Sequence, residues 1–594
     1  MKKNVIFILI DAVYKQHCFG TPYKPVTLPF INSLAQKGLT ANNLYSQAPY
    51  TEAALTPLLS GEPLLNKGSY MHRLKYRTSM TEVFKSQGYD TFINHYYPSI
   101  YPSAMFKGIT DLYYVTPFDF LHVWWYRLEY YRSFFLNQEL SNDELYMLYD
   151  IIDDNFNAWI TQYDLLLKHD EKVRFMQQFM DYPDELLVSS RDTVQREYDT
   201  FKNNPYDYLQ NLYTQNTDHI LFKIETLRLN NKLTDEHRQI IHDRYIKTFD
   251  RIFKLNRKLN LKNTHFPFKR FFRACLDRNT HNMYQYIAMY QNSFIDKDLY
   301  ERINDRFDEA EPQVSAHCFL EHGFDWLKNR TSEKPFFMYL HLDDAHWKET
   351  FFTSEKFDLD LLDSEFDAIN NYLDKLPNSY HGAITMDLSH IYVDNCIKNF
   401  YNKLKENGFL ENTIIAITAD HGFSFSFDPI RTNYVNNLHK ENYNVPFILF
   451  DEKHIGVVKN NFFSSYDIAP TIIDAAGLTP ASSMTGISML KNEGRDYAIS
   501  EYMGGGCPDM LRRPLQLTVR TSNYSVAVGV TLKDGFKNLQ LLHVYDLIND
   551  PMEYNNLANK ISLNKVDKEL NILHQRFDEI YLDFYTNKNA FHNC

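Results

Sequence analysis

Residues 4–12 read NVIFILIDA, a run of six apolar residues that ends at Asp11. Comparable short runs recur, with helical patterns between them, at Thr91–Asn94, Phe336–Leu342, Thr413–Thr418 and Pro446–Phe450. Strands that lack polar alternation are buried on both faces, as in a parallel sheet covered by helices. We therefore predict an α/β fold built on a doubly wound, mostly parallel sheet.

Changes in composition and hydrophobic pattern divide the chain into four parts. Residues 116–312 have few glycines, many aromatic residues and helical spacing, which predicts a large helical insertion. The sheet pattern is expected to return at Phe324–Leu327, and the stretches LQLTVRT and YSVAVGV predict a small antiparallel C-terminal subdomain. The predicted units are an α/β core in two parts (1–115 and 313–499), the helical insertion (116–312) and the C-terminal subdomain (500–594).

Composition and charge exclude several classes of protein. The 62 Lys and Arg residues against 75 Asp and Glu residues exclude a generally basic nucleic-acid coat, so we expect no nucleic-acid partner. The 44% hydrophobic content excludes a disordered chain. The six cysteines lie far apart without a CxxC pair, which argues against a zinc ribbon, a thioredoxin-like site or a disulfide framework.

The N-terminal run imitates a signal peptide but ends after six apolar residues, with no small-residue cleavage site behind it. The most apolar longer stretch, residues 120–136, is interrupted by Arg127, Glu129 and Arg132. We therefore expect no transmembrane segment and a cytoplasmic protein, at most peripheral to a membrane.

Carboxylates and histidines follow three of the predicted strands: Asp11, then Asp344 with His346, then Asp420 with His421. Ligands of open parallel sheets bind at the carboxyl ends of the strands. One aspartate there is more often a helix cap than a metal ligand. Three such strand ends together favour a divalent-metal site.

Thr51 supplies a hydroxyl group that could belong to the same predicted site. It precedes the helix-forming stretch EAAL, so it is expected at a helix N-terminus, where backbone N–H groups and the helix dipole favour an anion. An ordinary capping threonine fits the same pattern. A hydroxyl group in that position could also bind a metal and act as a nucleophile.

The arrangement resembles the alkaline phosphatase superfamily, specifically its sulfatase-like branch. The stretches that carry the resemblance run from residue 4 to about residue 559 and lie outside 116–312: NVIFILIDA, the Thr51 segment, KPFFMYLHLDDAHW, IIAITADHG, HKENYNVPFILF, SSYDIAPTIIDAAGL and HVYDLINDPMEYNNLA. The resemblance implies that one metal is surrounded by Asp11, Thr51, Asp420 and His421. It also implies that His346 and His439 face the transferred group or a second metal.

Four weaker candidates for substrate binding are Asp344, Lys440, His341 and His95. His341 lies in the interior of a predicted strand, so a structural role is as well supported as a functional one. His95 stands in the stretch where sulfatases usually carry a G-K-W-H motif.

Departures from the family pattern point to the reaction. A sulfatase needs a Cys or Ser, converted to formylglycine, in a C/S-x-P-x-R motif, whereas this chain has Thr51 followed by EAAL. The usual second aspartate after the first strand is Ala12. An unmodified threonine resembles instead the phosphodiesterases and the phosphoethanolamine or phosphoglycerol transferases. The implied cofactor is one or two divalent ions, Zn or Mn rather than Ca, because Ca²⁺ prefers an all-oxygen shell.

Three functions remain open. The favoured one is a metal-dependent phosphoryl-group transferase or phosphodiesterase that takes a phosphorus-ester donor and an alcohol or water as acceptor. The acceptor could be a cell-surface glycan precursor or a lipid-linked glycan, with the aromatic block Val123–Tyr126 as a lid. The alternatives are a sulfatase-like hydrolase of sulfate or phosphate monoesters that works without formylglycine, and a non-catalytic binding protein. The oligomeric state is left open.

Overall fold

The structure is a computed structural model that describes residues 2–20, 26–68, 76–94, 111–112, 119–168, 184–215, 218–220, 316–345, 384–423, 438–451, 456–504 and 509–587. Its largest element is an eight-stranded sheet with the strand order β4-β3-β5-β1-β6-β7-β2-β8. The strands are β1 (Asn4–Ile10), β2 (Leu39–Tyr45), β3 (Asp90–Asn94), β4 (Asp111–Leu112), β5 (Phe336–Leu342), β6 (Thr413–Thr418), β7 (Phe447–Phe450) and β8 (Val457–Ser464).

Strand β1 lies at the centre of this sheet, parallel to β5 on one side and to β6 on the other. Every residue from Val5 to Ile10 is at most 2% exposed. Burial on both faces explains why the sequence shows no polar alternation here. Strand β7 is antiparallel to both β6 and β2, while the other pairs are parallel. The predicted mostly parallel α/β sheet is therefore confirmed.

Helices cover the sheet and supply the rest of its core. They are α1 (Gln16–Phe19), α2 (Pro29–Ala35), α3 (Thr51–Ser60), α4 (Met80–Ser86), α9 (Ala316–Asn329), α10 (Ile384–Glu406), α11 (Lys440–Tyr443) and α12 (Ile468–Ala475). Apolar residues of α2, α3, α4, α9, α10 and α12 share one buried cluster with the central strands. Three described cysteines, Cys18, Cys318 and Cys396, are buried in this cluster.

The prediction of a strand at Phe324–Leu327 is wrong, because these residues belong to helix α9. Its buried residues Phe319, Leu320, Gly323, Phe324 and Leu327 follow helical spacing. A four-residue apolar run suits a strand and a buried helix equally well. Strands β2 and β8 were not predicted, since asparagines interrupt the apolar pattern of LTANNLY and VVKNNFFS.

The predicted helical insertion is represented by α5 (Asp119–Leu136), α6 (Asn142–Lys168), α7 (Asp184–Asn203) and α8 (Pro205–Gln215). These helices enclose a core of their own that includes Tyr131, Phe156, Trp159 and Leu209. Residues 221–315 and the side chains of Val123–Tyr126 lie outside the described part, so the lid prediction is untested. Among the described helices, none combines the length and apolar character needed to cross a membrane.

The C-terminal subdomain is an antiparallel sheet with the order β12-β11-β10-β9, as the alternating pattern predicts. Its strands are β9 (Tyr497–Tyr502), β10 (Leu515–Thr521), β11 (Tyr524–Val530) and β12 (Gln540–Asp546), and helix α13 (Asp567–Asn587) contacts β10 and β11. Leu64 and Leu65, just beyond α3, pack into the core of this subdomain. The subdomain therefore contacts the segment that follows Thr51.

Candidate active site

Three neighbouring strands of the large sheet each end in an aspartate. Asp11 follows β1, Asp343 follows β5 and Asp420 comes two residues after β6. The register pairs Ile10 with Leu342, and the amide of Asp11 donates to Leu342 O at 2.9 Å. All three carboxylates are at most 2% exposed. Parallel strands bring their carboxyl ends to one edge, so three acidic groups share a buried space there.

The Thr51 hydroxyl group lies within this space. Its Oγ1 donates to Asp11 Oδ2 at 3.1 Å and lies 3.3 Å from His421 Nε2. Thr51 is the first residue of α3, and the preceding Tyr50 is extended. Thr51 therefore does not use its side chain as an ordinary helix cap. Its hydroxyl group faces the carboxylates at a helix N-terminus, where the dipole favours negative charge.

His421 has a defined tautomer in this arrangement. Its Nδ1 lies 2.8 Å from Gly422 O, and a carbonyl oxygen can only accept, so Nδ1 carries the proton. In the neutral ring, Nε2 then has its lone pair available. Nε2 lies 3.4 Å from Asp11 Oδ1 and 3.6 Å from Asp420 Oδ2. The ring is thus oriented as a metal-ligating imidazole would be.

Asp420 is held by two backbone amides, since its Oδ1 accepts from Ala12 N at 3.2 Å and from His421 N at 2.8 Å. Ala12 has φ 60°, in the left-handed region that residues other than glycine rarely adopt. The position that carries a second aspartate in sulfatases therefore provides an amide donor to Asp420 here. Asp420 Oδ2 accepts no hydrogen bond from the described residues.

His341 belongs to the same cluster, although its position in β5 left its role open at the sequence level. Its Nε2 lies 3.6 Å from Asp11 Oδ2. One ligand atom from each of Asp11, His341 and Asp420 lies within 4.8 Å of the others. His341 is the penultimate residue of β5, so its side chain is near the strand end that carries Asp343.

Burial and like charge make this cluster unfavourable without a cation. Burial, followed by the charge of Asp11, raises the pKa of Asp420, and the same two causes raise the pKa of Asp343 well above its usual value. Neither oxygen of Asp343 accepts a hydrogen bond from a described N–H or O–H group. A divalent cation would neutralise the carboxylates and supply partners to these oxygens. The donor set of carboxylate and imidazole groups therefore fits a metal ion.

His439 and Lys440 lie beside this cluster rather than in it. Gly422, next to His421, donates its amide to Asn442 O at 2.9 Å, which places the segment 438–444 against the end of β6. Lys440 does not extend toward the carboxylates: its Nζ donates to Pro551 O, and its amide donates to Glu553 Oε2 at 2.8 Å. These contacts give no support to a substrate-binding role for the Lys440 side chain.

Two adjacent aspartates after β5 have different partners. Asp344 Oδ2 accepts from Ala316 N at 2.8 Å, at the first residue of α9, so Asp344 is an acceptor at a helix end, and its role in substrate binding stays a prediction. Asp343, which the sequence analysis did not select, lies beside Asp11. Its place immediately after β5 was the available signal. His346 and His95 lie outside the described residues, so their predicted roles are untested.

Comparison with known proteins gives a family match over most of the chain. The family model described as Sulfatase matches residues 3–221 and 255–478. An N-acetylglucosamine-6-O-sulfatase from Bacteroides thetaiotaomicron is 28% identical over 200 residues, which cover 32% of this chain and 34% of the relative. A multifunctional alkaline phosphatase superfamily protein from Trinickia caryophylli is 25% identical over 191 residues, covering 30% and 36%. The matches thus span about a third of these relatives' lengths.

A solved structure supports the fold over nearly the whole chain. It comes from Bacteroides thetaiotaomicron, from work on its metabolism of multiple glycosaminoglycans, and aligns with a TM-score of 0.50. The alignment covers 99% of this chain and 98% of that chain at 15% sequence identity. At this identity the likeness concerns the fold alone.

Proposed function

The chain belongs to the sulfatase family, and on this premise we propose that it is a metal-dependent hydrolase or transferase whose Thr51 attacks an ester of phosphorus. One observation carries the proposal: Thr51 Oγ1 lies 3.1 Å from Asp11 Oδ2 and 3.3 Å from His421 Nε2. A hydroxyl group at a helix N-terminus, beside two groups that can bind a cation or accept its proton, supports a nucleophilic role for Thr51.

The residues that would hold a cation are Asp11, Asp420, His421 and His341, with Thr51 beside them. When bound, a divalent ion lowers the pKa of a neighbouring hydroxyl group and offsets charge that develops on the transferred group. The mixed imidazole and carboxylate donors favour Zn²⁺ or Mn²⁺ over Ca²⁺.

The chain's own residues account for a double displacement. In the first step Thr51 Oγ1 forms a bond to phosphorus, its proton passes to Asp11 Oδ2, and the bond from phosphorus to the leaving oxygen breaks with its electron pair. The leaving oxygen takes a proton from water or from His439. In the second step the oxygen of water or of an alcohol attacks phosphothreonine. The attacking oxygen gives its proton to the group that protonated the leaving oxygen in the first step. The bond between phosphorus and Oγ1 breaks with its electron pair, and Thr51 Oγ1 recovers its proton from Asp11.

A second candidate is a sulfate-ester hydrolase that acts on sugars, because the relative from Bacteroides thetaiotaomicron is an N-acetylglucosamine-6-O-sulfatase. The acceptor or leaving group in either case could be a glycan, including the lipid-linked precursor considered above. The two candidates differ in the atom that Thr51 attacks, so the ester that leaves an adduct on Thr51 separates them.

The test uses Thr51→Ala and Thr51→Ser, with Thr56→Ala as the matched control. Thr56 is a buried threonine of the same helix, 3% exposed. Each metal-loaded protein is incubated with bis(p-nitrophenyl) phosphate, p-nitrophenyl phosphate and p-nitrophenyl sulfate. We expect Thr51→Ala to lower kcat by about 10³-fold or more, Thr51→Ser to retain part of the turnover, and Thr56→Ala to resemble the wild type.

Intact-mass measurement with peptide mapping then identifies the group on Thr51. A phosphoryl adduct on Thr51 from the diester supports the favoured function. A sulfuryl adduct, or release of sulfate alone, supports the second candidate. Wild-type turnover in Thr51→Ala would show that another group is the nucleophile. A folded, metal-loaded wild type without any turnover or adduct would favour the non-catalytic alternative.

A further inference from the structure

The segment 438–444 is fixed on one side by the end of β6. Besides the hydrogen bond between Gly422 N and Asn442 O, the backbone of Glu441 lies so close that a Cβ at position 422 would be 2.0 Å from Glu441 O. Only glycine allows that approach. On the other flank, Ser46 N donates to Tyr443 O at 2.6 Å. His439, at the start of α11, is therefore carried on a segment tied to the site by its backbone.

The C-terminal subdomain holds the same segment from the other side. Glu553 Oε2 accepts from Lys440 N at 2.8 Å and lies 3.5 Å from His439 Nδ1. Its Oε1 lies 3.7 Å from Arg520 Nε, and both Glu553 and Arg520 are 1% exposed. The ring of Tyr545 in β12 packs against the imidazole of His439 with centroids 5.3 Å apart. The orientation of His439 therefore depends on groups from the C-terminal subdomain.

Arg520 completes the connection between the two parts. Its guanidinium lies over the rings of Tyr45 and Tyr443, at 5.2 Å and 5.1 Å from their centroids, and donates to Leu438 O. Although burial acts in the opposite direction, the nearby imidazole of His439 and the charge of Arg520 lower the pKa of Glu553 to about 2. An ionised Glu553 only accepts, so a contact with His439 Nδ1 requires the proton on that nitrogen.

The backbone at Glu553 is also unusual. Its φ is 57°, in the left-handed region that favours glycine. A buried charged side chain on such a backbone is retained only where the surroundings determine it strongly. In this case the surroundings are Lys440 N, His439 and Arg520.

We propose that Glu553 is a positioning residue for His439, through which the C-terminal subdomain orients the imidazole toward the transferred group. The proposal rests on the proposed function, in which His439 faces that group. The ionised Glu553 beside Nδ1 keeps the proton of the His439 ring on that nitrogen. It holds the turn through Lys440 N, and it does not itself touch substrate.

The experiment is a double-mutant cycle between Glu553→Gln and His439→Ala, with kcat and KM measured on the ester with the highest turnover. Glu569→Gln is the matched control, because Glu569 is a buried glutamate of the same subdomain that pairs with Thr521 Oγ1 at 2.8 Å instead. We expect Glu553→Gln to lower kcat by about 10- to 100-fold with KM little changed, the size found for partners that orient a functional histidine. In the His439→Ala background the same substitution should have no further effect on kcat.

Two outcomes would overturn the proposal: a wild-type kcat in Glu553→Gln, or an equal loss of kcat with and without His439. A wild-type kcat in His439→Ala would overturn it as well, by removing the role of His439. Should Glu553→Gln fail to fold, Glu553→Asp keeps the charge near Arg520 but draws it away from His439, and it should show the same loss of kcat. Activity in Thr51→Ala would contradict the proposed nucleophile. The double-mutant cycle would still show whether Glu553 acts through His439.

Discussion

Replacement of Asp344 by asparagine should make the protein more stable at neutral and alkaline pH but not at acidic pH. The Asp344 side chain is fully buried, and its Oδ2 accepts from Ala316 N at 2.8 Å at the start of α9. Burial raises the pKa of Asp344 from 3.8 to about 7. An asparagine oxygen can accept the same hydrogen bond, but the amide cannot ionise.

The direction in which the free energy of unfolding changes with pH follows from proton binding to Asp344 in the folded and the unfolded chain. Below about pH 4 the Asp344 carboxyl is protonated in both the folded and the unfolded chain, so its ionisation changes nothing. As the pH rises toward 7, the unfolded chain loses the proton while the folded chain keeps it, and the free energy of unfolding falls. A difference of about 3 pKa units at about 1.4 kcal/mol each corresponds to roughly 4 kcal/mol, which is reached near pH 7 and is constant above it.

The assay is the thermal midpoint of the wild type and of Asp344→Asn between pH 4.5 and pH 8, with chelator present so that metal occupancy is the same. The expected result is a midpoint difference that grows by several degrees in favour of the variant as the pH rises. A constant offset added to this pH-dependent difference reflects the amide's own packing and does not affect the reasoning. Asp578→Asn is the control, because its side chain is 68% exposed. A difference that does not change with pH, or that grows toward low pH, would refute the reasoning.

Three further results are expected. Asp420→Asn should lower the amount of bound divalent metal, measured by inductively coupled plasma mass spectrometry. Asp344→Asn should keep the metal, because Asp420 belongs to the cluster around Asp11 and Asp344 does not. Gly422→Ala should lower kcat and the thermal midpoint together, since its Cβ would lie 2.0 Å from Glu441 O; an unchanged kcat would contradict the placement of segment 438–444. Leu209→Ala, in the core of the helical insertion, should cost about 2–5 kcal/mol in the free energy of unfolding with kcat unchanged, and a kcat loss in the still-folded variant would show that the insertion contributes to the site.

Sequence reasoning worked best where one physical requirement dominates a short stretch. Strands β1, β5 and β6 are buried on both faces, so continuous apolar runs identified them and their ends. It failed where two structures satisfy the same requirement, as at Phe324–Leu327, or where a strand is partly polar, as in β2 and β8.

In the candidate site, too, local patterns identified some residues, whereas others depend on contacts between distant parts of the chain. Asp11, Thr51, Asp420 and His421 were chosen from strand ends, a helix start and a family resemblance. The structure brings them together, with Thr51, Asp11 and Asp420 at 3.3 Å, 3.4 Å and 3.6 Å from His421 Nε2. Of the neighbours Asp343 and Asp344, only Asp344 was predicted as a site residue, and it accepts a hydrogen bond from the first residue of α9. The choice depends on where the N-terminus of that helix docks, and no local pattern records it.

What the sequence by itself determined is the layered α/β architecture, the antiparallel C-terminal sheet and the membership in the sulfatase family, because periodicity and motifs are local properties of the chain. Only the tertiary structure decided that His341 and Asp343 join Asp11, that Lys440 extends away from the carboxylates, and that Glu553 contacts His439 from 114 residues along the chain. The physical reason is that these contacts depend on the order of the strands and on the way separate elements dock. Both are determined jointly by residues that are distant in the sequence.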